Sequence, residues 1–130
     1  DQPDFTVGLC EEAQVWYEDI NQFNLPLLEN ARAMFDADNS SEFREAREAY
    51  RMVAEDMEAF DYPECVTFTR DKFVNSDDHL MNAAEALSQG DTNQYFADMT
   101  AYNRAIGEGR GYLVALGVEL RVTDEETEDE

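Results

Sequence analysis

Apolar residues recur at steps of three and four in four stretches of the chain, and this spacing predicts four amphipathic helices. The first covers about residues 9–37 on the stripe Leu9, Ala13, Trp16, Ile20, Phe23, Leu27, Ala31 and Met34. Pro26 falls inside it. Proline lacks the backbone donor and collides with the preceding turn, so a kink or break is expected near Asn24, with Asn24 placed to cap the second half. The second helix covers about residues 41–60, with Phe43, Ala46, Tyr50, Val53, Met57 and Phe60 in a heptad pattern. Asn39, followed three positions later by Glu42, has the spacing of a capping box.

The third helix is expected over residues 63–88, with Pro63 in its first turn. Its stripe is Val66, Thr69, Phe73, Ser76, Leu80, Ala83 and Leu87, and it turns polar in the middle at Asn75-Ser76-Asp77-Asp78. Gly90 reads as its C-terminal cap and Asp91 as the N-cap of the fourth helix, residues 92–116. That helix carries Tyr95, Met99, Tyr102, Ile106, Gly109, Leu113 and Leu116 on one side. Gly107, Gly109 and Gly111 each cost about 1 kcal/mol against alanine in a helix interior, so an irregular turn is expected there. Gly117 reads as the cap. Residues 118–122 alternate apolar and polar and are expected to fold back on the bundle as a short extended piece. With short connections, consecutive helices pack antiparallel. The fold expected is all-α, a four-helix up-and-down bundle over residues 1–123, with an acidic, disordered tail at 124–130.

That topology gives the two cysteines their meaning. Cys10 and Cys65 stand at the starts of the first and third helices, and those helices begin at the same end. A disulfide between them is expected, worth about 4 kcal/mol in the chain-entropy model. The alternative is two unrelated buried thiols. A disulfide argues for an extracytoplasmic setting, whether secreted, periplasmic or cell-surface. The chain opens on Asp1 rather than Met, which fits a mature chain freed of a signal peptide or a trimmed one.

Composition sharpens this picture. Among 130 residues, nine are basic and 31 acidic, giving a net charge of −22. Residues 124–130 hold six of the acids, so the body is acidic in its own right. Such a field repels nucleic acid and anionic lipid, and it attracts cations and basic partner surfaces. Lys72 is the only lysine among the nine basic residues. Abundant acid with almost no lysine matches salt-adapted proteins as well as ordinary acidic secreted ones. The 43% hydrophobic content is enough for a packed core. No apolar run approaches the roughly 20 residues that span a bilayer.

Candidate chemistry is sparse. His79 is the only histidine and thus the one candidate imidazole ligand for haem or a metal. A ferritin-type di-iron motif requires Glu three residues earlier, where Ser76 stands. Cys65 and His79 are 14 residues apart, about 21 Å along a helix, which separates them as a catalytic or metal pair. Met34, Met52, Met57, Met81 and Met99 are formal haem partners, but methionine at helical spacing is usually core filler. Asp36-x-Asp38-x-Ser40 opens like a calcium loop. Ser41 and Arg47 then replace the glycine and glutamate such a loop requires, leaving at most a weak cation site. Asn39-Ser40-Ser41 is an N-glycosylation sequon, with Asn39 the acceptor in an exposed loop. Gly107 and Gly111 share a face and are the candidates for an intermolecular contact. Trp16, Tyr17, Tyr50, Phe60, Tyr62, Phe68, Tyr95 and Tyr102 invite a ligand pocket between helices, although ordinary packing accounts for most of them. Arg44, Arg47 and Arg51 share a face among glutamates, which points to pairing along the helix.

The run Pro63-Glu64-Cys65…His79-Leu80…Ala86-Leu87…Gly90-Asp91…Ala105 resembles the second half of extracytoplasmic four-helix modules that often occur in bacterial and archaeal lipoproteins. The resemblance implies a secreted all-helical fold and brings no catalytic residues. The function expected is non-enzymatic: a secreted or cell-surface helical module for protein–protein interaction or assembly, a subunit of a larger complex. The alternative is a periplasmic-type bundle binding a ligand, haem or a cation. No resident cofactor is expected.

Overall fold

A computed structural model describes residues 9–120. They form α1 (Glu11–Ile20), a 3₁₀ turn (Asn21–Phe23), α2 (Asn24–Asp36), α3 (Ser40–Ala59), a second 3₁₀ turn (Glu64–Val66), α4 (Thr67–Ser88) and α5 (Thr92–Ala115). No strand occurs among the described residues. Together α1 and α2 make the first rod of the four-helix bundle, and α4 against α5 and α2 against α3 are its closest packings. The acidic segment 124–130 lies outside the described residues.

The first rod breaks where proline demands it, but upstream of the expected position. Pro26 is the third residue of α2. The N–H of a first-turn residue has no intrahelical acceptor, so its loss costs nothing there. In a continuous helix the ring would meet the carbonyl of Gln22, and the chain instead tightens to 3₁₀ geometry over Asn21–Phe23. Asn24 therefore does not cap α2. The cap position belongs to Phe23, which makes no side-chain cap bond. Asn24 Nδ2 donates to Asn21 Oδ1 instead.

The caps of α3 and α5 match the sequence. Asn39 Oδ1 accepts from the Glu42 N–H at 2.9 Å, and Asp91 Oδ1 from the Gln94 N–H at 3.1 Å. Glu42 Oε1 reaches back to the Asp38 N–H at 2.9 Å, one residue earlier than in a standard capping box. Pro63 does not start α4. It precedes the 3₁₀ turn, and α4 proper begins at Thr67. Gly90 (φ +78°) and Gly117 (φ +93°) close α4 and α5 in the left-handed region that side chains rarely enter.

The irregular turn expected at Gly107, Gly109 and Gly111 does not form, and α5 runs through all three. Helix packing explains this. A Cβ on Gly109 would stand 2.8 Å from Phe73 Cε1, so the glycine lets α4 and α5 close on each other. Beside it, Thr69 Oγ1 donates to the Gly109 carbonyl at 3.1 Å, and the Phe73 ring stacks on Trp16 at 6.4 Å. On two stripes the buried face is rotated from that expected: Ala54 rather than Val53 is buried on α3, and Leu87 on α4 is 44% exposed.

The core has two centres. One gathers Ala13, Trp16, Tyr17, Ile20, Val66, Leu113, Leu116 and Val118. The other gathers Met34, Phe43, Ala46, Tyr50, Ala54, Leu80, Met81 and Ala84. At the pole of the first centre Cys10 and Cys65 form the expected disulfide, their Cα atoms 6.7 Å apart. The same pole receives the end of α5: the Cys10 N–H donates to Leu116 O at 3.0 Å. Residues 118–120 fold back as expected. The Gln14 amide both accepts from the Glu119 N–H (2.7 Å) and donates to the Glu119 carbonyl (3.2 Å), and the Tyr17 hydroxyl donates to Leu120 O at 3.0 Å.

Candidate functional site

Between the two core centres, at the level of the break in the first rod, lies a cavity of about 360 Å³. Each rod contributes to it. Tyr17, Ile20 and Asn21 come from α1 and its turn, Leu27 and Ala31 from α2, and Tyr50 and Met57 from α3. Phe73, Ser76, Asp77 and Leu80 come from α4, and Tyr102, Ile106 and Arg110 from α5. The 3₁₀ turn falls at the level of the gap, and Ser76 and Asp77 from the polar middle of α4 line it. Interiors normally close such gaps to crystal-like density. This one stays open against a wall that is apolar and aromatic except for a few polar groups.

Asp77 is the unusual member. It is buried, with 5% of its surface exposed. Its Oδ1 accepts the Tyr50 hydroxyl at 2.8 Å. Its Oδ2 is buried and has no hydrogen-bond partner. Buried polar atoms are nearly always paired, so an unpartnered carboxylate oxygen calls for an explanation. Burial pushes the Asp77 carboxyl up to about 7; Asp78 and Glu58 push the same way, against the Tyr50 hydrogen bond. Burial, and then the charge of Asp77, raises the Tyr50 and Tyr102 phenols above their ordinary value.

Several of the remaining polar wall groups are satisfied within the protein. Ser76 Oγ donates to Phe73 O at 2.7 Å, and Asn21 Nδ2 to Tyr17 O at 2.9 Å. The wall therefore presents one carboxylate, an arginine and four aromatic side chains (Tyr17, Tyr50, Phe73 and Tyr102) rather than a nucleophile with a base beside it.

Of the residues singled out from sequence, the aromatic Tyr17, Tyr50 and Tyr102 line the cavity, and most of the other candidates lie elsewhere. His79 is half-buried on α4 and is not among the residues that line the cavity. Of the five methionines only Met57 lines the cavity, and Met52 is exposed. Asn39 is exposed in the turn before α3, with its Oδ1 engaged in the cap. The Asp36–Ser40 stretch serves that cap too. Gly107 and Gly111 are exposed, and a Cβ added at either would meet nothing within 4 Å, so the intramolecular close approach falls to Gly109 between them. Glu12 lies within ligand reach of Cys10 and Cys65, but the two sulfurs are committed to each other. Arg51 pairs with Glu48 and Glu55 along α3, as the arginine face anticipated, whereas Arg47 reaches across to Glu85 on α4 at 3.6 Å.

Asp77 itself was not among the expected site residues. Its signal was the polar interruption in the third stripe, together with a tyrosine at the core position opposite. Among the described residues no helix is long and apolar enough to cross a membrane. No family model matches the chain, and neither the curated proteins nor the solved structures contain a match.

Proposed function

We propose that this chain is a non-catalytic binding domain of the extracytoplasmic space whose interior cavity takes one small, largely apolar ligand. One observation carries the proposal: a 360 Å³ gap held open between two packed core centres, with Asp77, whose buried Oδ2 has no partner, among its lining residues. The volume falls within the range of small-molecule sites, as does the pairing of an apolar wall with a few polar groups. The Cys10–Cys65 pair supports an oxidising compartment. The acidic surface supports solubility, and salt adaptation is a further part of this reading.

The expectation of a protein partner or self-assembly rests on less. The exposed Val15, Leu25, Leu28, Met52, Leu87, Phe96 and Val114 are spread over all five helices, α1 to α5. The cavity is the better-defined feature.

Titration with a short-chain alcohol such as 1-hexanol, followed by amide NMR, tests the proposal. Saturable shifts centred on Tyr50, Leu80 and Ile106, lost in a cavity-filling Ala31→Phe variant, are expected. Shifts that fail to saturate, or that persist in the filled variant, contradict it.

A further inference from the structure

Resting on that reading of the cavity, we infer that it selects protonated primary or secondary amines, with the ammonium N–H donating to Oδ2 of Asp77 and the apolar body among the rings of Tyr17, Tyr50, Phe73 and Tyr102. Four observations lead there.

The first is hydrogen-bond polarity. Above about pH 7 the Asp77 carboxyl is ionised and only accepts, and Oδ1 already holds the Tyr50 proton at 2.8 Å, so in that form a group meeting Oδ2 must donate. The second is charge. Asp78 on α4 and Glu58 on α3 are the charged groups that act on Asp77, and both are acidic. From α1 and α2 the wall offers only the neutral Tyr17, Asn21 and Asn24 as polar groups, and from α5 Tyr102 and Arg110. Arg110 lines the cavity too, but no positive group is among those that act on Asp77. A cation offsets the burial of the carboxylate where a neutral donor does not.

The third is the wall itself. Aromatic rings attract cations through their faces, most strongly where water is excluded. The fourth is donor count. Oδ2 lacks an N–H or O–H, which a quaternary ammonium cannot supply. Primary and secondary amines satisfy the oxygen, the charge and the rings together.

Calorimetry on the full chain at pH 8 with four probes of equal chain length tests this: hexylamine, 1-hexanol, hexyltrimethylammonium and hexanoate. Hexylamine is expected to bind most tightly, by roughly tenfold over 1-hexanol, the ratio separating a charge-assisted from a neutral hydrogen bond. Asp77→Asn should abolish the preference, bringing hexylamine down to the level of 1-hexanol. A second readout needs no variant: lowering the pH to 5.5 should weaken hexylamine more than 1-hexanol. Equal binding of hexylamine and 1-hexanol, or a preference for hexyltrimethylammonium or hexanoate, overturns the amine assignment and leaves the cavity reading standing. Failure of all four probes to bind overturns both.

Discussion

Tyr50 on α3 donates its hydroxyl to Oδ1 of Asp77 on α4 at 2.8 Å, and both side chains are buried. The bond joins two rods in the interior and sets the electrostatics of the cavity beside it. Because burial raises the Asp77 carboxyl to about 7 in the folded chain, the native state holds a proton that the unfolded chain, near 4, has released. Its stabilising contribution is complete below pH 4 and is lost as pH rises through about 7. A melting temperature that falls between pH 5 and 8 is expected, with Asp77→Asn flattening that slope. Tyr50→Phe removes the one bond that favours the ionised form. It should raise the Asp77 carboxyl further and steepen the loss toward pH 8, at a cost of about 1–3 kcal/mol. Parallel pH profiles for the native chain and Asp77→Asn would exclude this account.

The three glycines of α5 should respond to alanine with opposite signs. At Gly107 and Gly111 a Cβ meets nothing within 4 Å, so each substitution should stabilise by about 0.5–1 kcal/mol through helix propensity. At Gly109 the Cβ would stand 2.8 Å from a Phe73 ring that stacks on Trp16. Displacing that ring should outweigh the propensity gain and give a net loss of about 1–3 kcal/mol. Urea titrations of the three variants decide the matter, and a stabilised Gly109→Ala would show that the α4–α5 crossing is looser than described.

The bridge between Cys10 and Cys65 spans a sequence separation of 55 and ties the starts of the first and third rods. Replacing both cysteines by serine should cost about 4 kcal/mol in the chain-entropy model. It should also loosen residues 116–120, whose backbone hangs on Cys10, Gln14 and Tyr17. Hydrogen exchange on the variant reads both effects at once. Unchanged exchange at Cys10 and Val118 would show that packing alone holds that pole.

Self-repulsion at a net charge of −22 is relieved by screening. The melting temperature is therefore expected to rise from low salt to molar sodium chloride. A flat or falling trend would remove salt adaptation from the proposed setting.

Much of the architecture was legible because it follows from local rules. Apolar steps of three and four placed the rods, Asn39 and Asp91 announced two caps, and short connections fixed the antiparallel order that brings Cys10 to Cys65. Other features depend on contacts between distant residues. Gly109 looks like a helix breaker until Phe73 is found packed over it. Pro26 points to a break before it but not to its exact place at Asn21–Phe23, which depends on the proline occupying the first turn of α2. The candidate site was the least legible part. Asp77 sits beside the Ser76 stripe position and reads as a weak polar patch, and Tyr50 reads as core. Only the packing of α3 against α4 brings the two together beside open space.

The most direct measurement is the carboxyl ¹³C shift of Asp77 followed from pH 4 to 9, alone and with saturating hexylamine. A midpoint near 7 that moves down when the amine binds is the result this account predicts. A midpoint near 4, unmoved by the amine, would show a solvated carboxylate and contradict it.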